Sequence, residues 1–410
     1  MEKEIIEKAN YCLNCKSKPC STKGCPLNNN IPEFINKIKE EKYEEAYKIL
    51  TETTVMPAIC GRICPHYKQC MGSCVRGIKG EPVSIGELEA FVGDIAIKNN
   101  YKILKNEKQD LLNQKIAIIG GGPAGLTCAA FAARRGAKCT IYEKYDYLGG
   151  LLVHGIPEFR LPKDIVNKTV AQILELGIDV KYNQELGKNL KLDELETQYD
   201  KIILAFGANI SSKMGIEGEE LQGVYGANEL LEYNTHPDYT GKIVAINGGG
   251  NVAMDMARTV IRRGAKKVIV VYRRSREEMP AESKEIEDAM EEGVEFLFQN
   301  NIVKIIGNEK NKVSKLELIK TKLVKKEDDK RLSPVDIEGS NYEIDADICI
   351  MALGSHPANF VKDLGLELNK WGGIKVDENL RTSNPKIYAI GDLGGNIKTV
   401  AWAARSGRNL

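Results

Sequence analysis

A strand, a glycine-rich turn and a helix occur twice in this chain, and that repeat limits what it can fold into. The first copy, from Lys115, reads KIAIIGGGPAGLTCAAFAARRGAKCTIYEK. The second, from Gly241, reads GKIVAINGGGNVAMDMARTVIRRGAKKVIVVYRR. Each offers a β-branched apolar run, a glycine punctuation, an alanine-rich helical stretch and a second apolar run. Units of this βαβ kind build parallel sheets covered by helices. Two copies in a chain of 410 residues imply two related nucleotide-binding domains of the α/β class.

Gly120, Gly122 and Gly125 of the first copy fit GxGxxG between strand and helix. The first glycine permits the tight turn, the second lets backbone approach a pyrophosphate, and the third lets helix pack on strand. The helix N-terminus adds unpaired N–H groups and partial positive charge. Glu143 ends the next strand, where a carboxylate accepts ribose hydroxyls. Far downstream, IYAIGDLGG places Gly391 and Asp392 after a buried strand. An aspartate there suits the ribityl chain of a flavin, so the first copy is expected to bind FAD within a discontinuous domain.

The second copy carries Gly248, Gly250 and Ala253 in the same setting. Where an NAD-binding unit carries a carboxylate, this strand ends in Arg273 and Arg274, with Arg276 close behind. Guanidinium groups chelate a 2′-phosphate that a carboxylate would repel. NADPH is therefore expected in preference to NADH. The alternative is that YRRSREE is only a solvated charge run.

Eight of the eleven cysteines fall within the first 74 residues. CLNCKSKPCSTKGCP holds Cys12, Cys15, Cys20 and Cys25; CGRICPHYKQCMGSC holds Cys60, Cys64, Cys70 and Cys74. MEKEIIEKAN is not a secretory leader, so a cytoplasmic chain with reduced thiols is expected. The clusters then read as metal ligands. Iron–sulfur is favoured, because a ferredoxin run also ends in Cys-Pro. Zinc is the rival, although it usually uses paired CxxC knuckles and only one CxxC is present. Cys128, Cys139 and Cys349 are expected to be small buried apolar residues. His66, His154, His236 and His356 show no metal or triad spacing and are expected on the surface or in loops.

The formal net charge of +1 gives no reason to expect nucleic acid or an anionic membrane as partner. No apolar run approaches the roughly 20 residues of a membrane span. Flavin disulfide reductases need a dithiol beside the flavin, and no cysteine pair follows Gly150 or Gly250. In the cysteine-rich part, Pro32 suits a first helical position. Phe34, Ile35, Ile38, Ala46 and Leu50 recur at helical spacing, and a further helix is expected from Glu87 with Leu88, Phe91 and Ile95 on one face. KNEKQD reads as a linker. EFLFQ, IVKIIGN and VSKLELIKTKLV read as an antiparallel meander, and KKEDDKRLSPVDIEGS as a solvated hairpin tip. The sequence stops inside an expected helix at Leu410, which suggests a further short tail.

Both cysteine runs, with GGLLVHGIPEFRLPK, VYRRSREEMPA and IGDLGG, resemble the small subunit of NADPH-dependent glutamate synthase and its relatives. These relatives include the N-terminal part of dihydropyrimidine dehydrogenase and the large subunit of NADH-dependent ferredoxin:NADP oxidoreductase. The resemblance covers nearly the whole chain. It implies a helical domain over residues 1–110 with two 4Fe–4S clusters, an FAD domain over 111–221 plus 358–410, and an NADPH domain over 222–357. By position, Cys12, Cys15, Cys20 and Cys74 would hold one cluster. Cys25, Cys64 and Cys70 would hold the other, with Glu89 where relatives use a non-cysteine side chain and Cys60 as a spare. Cys20 and Cys25 stand one residue further apart than in some relatives. The resemblance also places Gly150, Leu151, Arg160 and Thr399 near the flavin, Asn251 and Val252 at the NADPH pyrophosphate, and Gly354 beside the nicotinamide pocket.

The function so implied is electron transfer. NADPH reduces FAD, and the clusters conduct electrons to a larger catalytic or electron-accepting subunit. In glutamate synthase that subunit converts glutamine and 2-oxoglutarate into glutamate. The runner-up is a ferredoxin-linked or electron-bifurcating NADP oxidoreductase subunit, and a stand-alone reductase is a further reading. From a different class, the chain would be a zinc-stapled interaction module on a redox-sensing flavoprotein.

Overall fold

The computed structural model describes residues 2–106, 108–325, 331–395 and 397–410. The expected hairpin tip falls partly on residues 326–330, outside the described residues. Helices α1 (Glu2–Asn10), α2 (Ile31–Lys39), α3 (Tyr43–Thr51), α4 (Pro57–Ile63) and α5 (Ile85–Lys98) come first. There follow β1 (Lys115–Ile119), α6 (Pro123–Arg134), β2 (Lys138–Tyr142), α7 (Leu151–His154), α8 (Lys163–Leu174), β3 (Asp179–Lys181), α9 (Leu192–Gln198) and β4 (Lys201–Leu204). Next are β5 (Ile210–Ser211), β6 (Val224–Gly226), α10 (Ala227–Tyr233), β7 (Ile243–Asn247), α11 (Asn251–Arg262), β8 (Lys267–Tyr272), α12 (Ser283–Glu291) and β9 (Glu295–Phe298). Strands β10 (Asn300–Gly307), β11 (Val313–Val324), β12 (Ser333–Asp336), β13 (Tyr342–Asp345), β14 (Ile348–Met351), β15 (Ser355–His356) and β16 (Ile387–Ala389) precede the last helix, α13 (Val400–Arg408).

The chain forms two compact units. One comprises Met1–Val153, Glu158–Ala208 and Pro357–Leu410; the other comprises His154–Pro157 and Asn209–His356. In the first, a parallel sheet runs in the order β16-β4-β1-β2-β3. Strand β16 joins it from the far end of the sequence, so the sheet is built from discontinuous chain. Helix α13 lies closely on α6, because Gly407 presents no side chain to the backbone of Ala124 and Cys128.

The cysteine-rich helices belong to this same unit. Their core holds Phe34, Ile35, Ile38, Tyr47, Leu50, Leu88 and Val92, all buried. Here the structure refines the periodicity reading. Ala46 and Leu50 lie on α3, a separate helix, because the chain turns at Glu41 with φ +58°. Pro32 is the second helical residue, not the first. Helix α5 begins at Ile85, two residues before Glu87, and its buried face is Leu88, Glu89, Val92 and Ala96, with Phe91 and Ile95 only partly covered. Gln172 on α8 fastens the end of α5, its Nε2 donating to Ala96 O at 3.3 Å and Tyr101 O at 3.1 Å.

The second unit has a parallel sheet in the order β6-β14-β7-β8-β9. Helices α10, α11 and α12 pack on one face through Leu230, Met254, Val260 and Ile286. An antiparallel sheet of β10, β11, β12 and β13 covers the other, where Ala245, Ile269 and Val271 meet Ile302, Leu316 and Leu318. EFLFQ thus belongs to the parallel sheet and not to a meander: β9 follows the crossover helix α12 and pairs parallel to β8. Among the described residues, no helix is long and apolar enough to cross a membrane.

Candidate functional site

The eight N-terminal thiols fall into two groups, and each group draws on both cysteine runs. Glycines bring them together. A Cβ on Gly24 would lie 2.7 Å from Gln69 O and 2.8 Å from Cys70 Cα, so the turn Cys20–Gly24 rests directly on the Gln69–Cys70 backbone. Helices α4 and α5 cross equally closely: side chains on Gly61 or Gly93 would strike the backbone of Ala90 or Ala58. That contact carries Cys60 of α4, and Cys64 at its end, towards Glu89 of α5.

Cys12, Cys15, Cys20 and Cys74 line one pocket, with Ile31, Ile35 and Val83 among its apolar walls. Cys20 is buried, which pushes its thiol up to about 11, and Cys74 and Cys12 act on it in the same direction. The second group is Cys25, Cys60, Cys64, Cys70 and Glu89. Burial pushes Cys25 up to about 12, followed by the charges of Glu89 and Cys60. Cys70 is raised by burial, then by Glu89 and Cys25. Glu89 is held well above the usual carboxylate range by burial and then by Cys60. Five acidic groups thus share one poorly solvated space, where their ionised forms repel one another. A cationic iron core there would compensate that charge, so thiolate donors and burial both fit a cluster.

Cys60 is therefore no remote spare. It lies in the second group, 1 % exposed, with Sγ 3.8 Å from Thr54 Oγ1. Glu89 is not a surface helix residue either; it is 5 % exposed and accepts from Asn29 Nδ2 at 3.2 Å. Asn29 in turn accepts from Thr53 Oγ1 at 2.7 Å. His66 lies in the connection between α4 and α5, partly buried: Nδ1 lies 3.5 Å from Cys70 Sγ and Nε2 lies 3.1 Å from Gly61 O. Since a carbonyl only accepts, Nε2 carries the proton in that contact.

The same unit holds the first glycine loop. Gly120 has φ +106°, and a side chain on Gly125 would strike the Gly120 carbonyl. Glu143 is buried beneath the turn, accepting from Gly121 N at 2.7 Å and Tyr145 N at 3.1 Å. Each oxygen keeps a further lone pair for a hydroxyl. Gly150, with φ +52°, faces Gly122, and nothing stands within 4 Å of a Cβ built on Gly122. Leu151 opens α7, and Arg160 is half-buried in the following turn. Gly391 has φ +65°, and its N–H donates to Ser406 Oγ at 2.9 Å. Asp392 follows in a single tight turn, and burial pushes its carboxyl up to about 6 against the pull of Lys398. Thr399 caps α13, its side chain accepting from Trp402 N at 3.4 Å.

The nucleotide and cysteine-rich parts of this unit are tied by arginines. Arg405 Nη1 donates to Pro26 O at 2.8 Å. Arg408 Nη1 donates to Leu27 O at 2.5 Å and Thr53 O at 3.3 Å. Arg134 reaches Leu104 O at 2.8 Å and Thr51 O at 2.5 Å. The segment after Cys25 is thereby held to the helix that Thr399 begins.

In the second unit, Gly248 has φ +148°, and a side chain there would strike the Ala352 carbonyl. Gly250 caps α11 in open space. Asn251 Oδ1 accepts from Glu282 N at 3.0 Å, and Val252 is 36 % exposed on the first turn. Gly354, φ +105°, lies two residues beyond Ala352 and its carbonyl accepts from Ser212 N at 3.0 Å. Arg273 is exposed just after β8, and Arg274 Nε donates to Leu332 O at 2.9 Å. Arg276 lies 3.7 Å from Glu287. Arg331 adds a further guanidinium at this strand end, Nη2 donating to Tyr272 Oη at 3.2 Å. The stretch dismissed as a solvated tip thus supplies Arg331 and Leu332 to the place where the arginines gather. Cys128, Cys139 and Cys349 are buried, as their positions suggested.

Comparison with known proteins accords with this organisation. Residues 1–101 match the family described as dihydropyrimidine dehydrogenase domain II, 4Fe-4S cluster. Residues 114–407 match the family described as pyridine nucleotide-disulphide oxidoreductase. The first match decides for iron–sulfur over zinc. The glutamate synthase (NADPH) small chain of Escherichia coli (strain K12) is 35% identical, over 99% of this chain and 90% of that protein. The NADP(+)-dependent formate dehydrogenase subunit beta of Moorella thermoacetica is 36% identical, over 95% of this chain and 58% of that one. Mycobacterium tuberculosis FprA in complex with NADPH shares the fold, with a TM-score of 0.65 and 20% identity over 72% of this chain and 83% of that one. The chain thus belongs to the pyridine nucleotide-disulphide oxidoreductase family, carries a 4Fe–4S domain of the dihydropyrimidine dehydrogenase type, and shares nearly its full length with the small chain of NADPH-dependent glutamate synthase.

Proposed function

We propose that this chain takes electrons from NADPH, passes them through FAD and two 4Fe–4S clusters, and delivers them to a larger partner subunit in the cytoplasm. The observation that carries the reading is the fastening of the Cys25–Leu27 segment to α13 by Arg405 and Arg408. These contacts tie the segment after Cys25 to the helix after the Gly391 turn, which supports a path for electrons between a flavin and the second thiol group. Bound FAD would accept a hydride and release its electrons singly, and 4Fe–4S centres would carry them one at a time.

The residues have separate tasks in this reading. Gly120, Gly122, Gly125 and Glu143 hold the adenosine and pyrophosphate end of FAD, with Gly150, Leu151 and Arg160 beside it. Gly391 and Asp392 hold the ribityl chain. Thr399 fixes the start of α13, whose free N–H groups and partial positive charge would favour negative charge on a flavin bound nearby. Gly248, Gly250, Asn251 and Val252 take the NADPH pyrophosphate, Arg273 and Arg274 its 2′-phosphate, and Gly354 the nicotinamide side. Cys12, Cys15, Cys20 and Cys74 bind one cluster; Cys25, Cys64, Cys70 and Glu89 bind the other. Hydride transfer needs orientation and no side-chain base, so none is assigned.

Anaerobic titration with NADPH tests the proposal. Purified protein should contain iron and acid-labile sulfide, lose its broad visible absorbance on NADPH addition, and reduce artificial dyes without forming glutamate from glutamine and 2-oxoglutarate. Colourless or purely yellow protein, or glutamate formation by the pure chain, would refute it.

A further inference from the structure

The surface around the first thiol group is apolar at its centre and cationic at its edge. Tyr11 is 40% exposed, Leu13 50%, Val75 37% and Ile78 76%. These are contiguous. Leu13 and Val75 line the same pocket as Cys12, Cys15, Cys20 and Cys74. Arg76 stacks over the Tyr11 ring at 4.2 Å and its Nε donates to Tyr11 O at 2.9 Å. Ile78 closes the short turn that Val75 opens. Cations outnumber carboxylates here, with Glu81, whose carbonyl accepts from Tyr11 Oη, at the border of the patch. From Cys12 to Ile31 and from Cys64 to Gly80 the chain carries Lys16, Lys18, Lys23, Lys68, Arg76 and Lys79, and no carboxylate. In a chain whose formal net charge is +1, that is a local excess. Scattered exposed apolar residues are ordinary, but a contiguous apolar patch with a polar rim marks a place where another protein sits.

The geometry points to this face as the docking surface for the electron acceptor, a redox protein whose own centre lies beneath an apolar spot ringed by carboxylates. The inference rests on the electron-transfer function proposed above and adds where electrons leave and what chemistry receives them. Leu13 and Val75 stand between the first thiol group and solvent, so a partner covering them comes as near to that group as the fold allows. The lysines steer an acidic partner and repel a basic one, and the apolar centre shortens the final approach.

The test uses the NADPH-reduced holoenzyme with two probes, an acidic 2Fe–2S ferredoxin and basic cytochrome c. Ile78→Asp combined with Lys79→Glu is compared with wild type at low and high salt; neither residue touches a nucleotide or a ligand thiol. Wild type should reduce the ferredoxin faster at low salt. The double variant should lose roughly tenfold in kcat/KM for ferredoxin and gain for cytochrome c. Dye reduction and the cluster spectrum should stay unchanged. Equal ferredoxin reduction by both proteins, or salt-independent rates, would overturn the docking face. So would a wild-type dimer that the double variant abolishes, since a second copy would then cover the patch. If NADPH bleaches no cluster absorbance in wild type, the electron-transfer reading itself fails, an outcome distinct from loss of partner discrimination.

Discussion

Arg408, in the last turn of α13, donates to the carbonyl of Leu27, two residues beyond Cys25. The guanidinium is half-buried, and burial pulls its ionisation down while the Cys25 charge pushes it up. A fixed cation beside a ligand thiolate favours the more negative, reduced state of a cluster and so raises its potential. Arg408→Gln should therefore move one of the cluster potentials negative by tens of millivolts, where about 59 mV is a factor of ten for one electron. Arg408→Lys should recover much of the shift. Redox titration followed by electron paramagnetic resonance measures both. Unchanged potentials in Arg408→Gln would show that Arg408 only braces the Leu27 and Thr53 carbonyls.

Glu89 and Cys60 compete for one role. Both are buried in the second group, and the Cys60 charge adds to burial in raising the Glu89 carboxyl. The Asn29 amide holds Glu89 from one side, and Thr53 holds Asn29, so the carboxylate is oriented rather than loose. Cys60 Sγ makes a long contact to Thr54 Oγ1 and lies beside the Cys64 thiol. Glu89→Ala should lose one cluster, seen as a drop of about half in iron and sulfide, whereas Cys60→Ser should keep both. The reverse pattern would make Cys60 the fourth ligand.

Arg273 and Arg274 stand where the phosphorylated ribose of NADPH is expected, and Arg331 approaches through Tyr272. A charge-assisted hydrogen bond to phosphate contributes about 1–3 kcal/mol, so replacing both arginines by alanine should raise KM for NADPH roughly thirtyfold or more. KM for NADH, which lacks that phosphate, should hardly change. Steady-state dye reduction with each nucleotide reads the ratio, and an equal loss for both would place the 2′-phosphate elsewhere.

Local rules made the nucleotide domains readable. A GxGxxG turn needs positive φ and missing side chains, and Gly120 and Gly248 state both in the sequence. The metal region was readable in its ligands but not in their surroundings. Nothing in a residue's own neighbourhood says that Gly61 and Gly93 let α4 and α5 touch, or that this contact buries Glu89. His66 lies between α4 and α5, and its contact with the Cys70 thiol is not legible from its spacing. Asn29 precedes α2 in the chain, yet it links Thr53, just after α3, to Glu89 of α5. Arg331 and Leu332 are exposed as their charge run implies, yet the Leu332 carbonyl accepts from Arg274, a contact that periodicity does not reveal. Strand β9 was misread because three apolar residues do not reveal direction; the preceding helix decides it. These misses all involve contacts between segments distant in sequence, where tertiary packing overrides local pattern.

Asp392 gives a pH dependence whose sign follows from burial. Its ordinary value near 3.8 is pushed up to about 6 in the folded chain. The folded state therefore binds more protons than the unfolded state between those values, and stability falls as pH rises through that window. Above about pH 6 the full penalty is present; below about pH 4 it is gone. A shift of this size corresponds to about 2–3 kcal/mol. In flavin-free protein, Asp392→Asn should therefore raise Tm at pH 7 relative to wild type, with the gain fading towards pH 4. Added FAD should narrow the gap at pH 7, because ribityl hydroxyls donating to the carboxylate favour its charged form. Melting curves of both proteins at the two pH values, with and without FAD, measure this. A gain independent of pH would mean that the substitution acts through packing around the Gly391 turn and not through the charge.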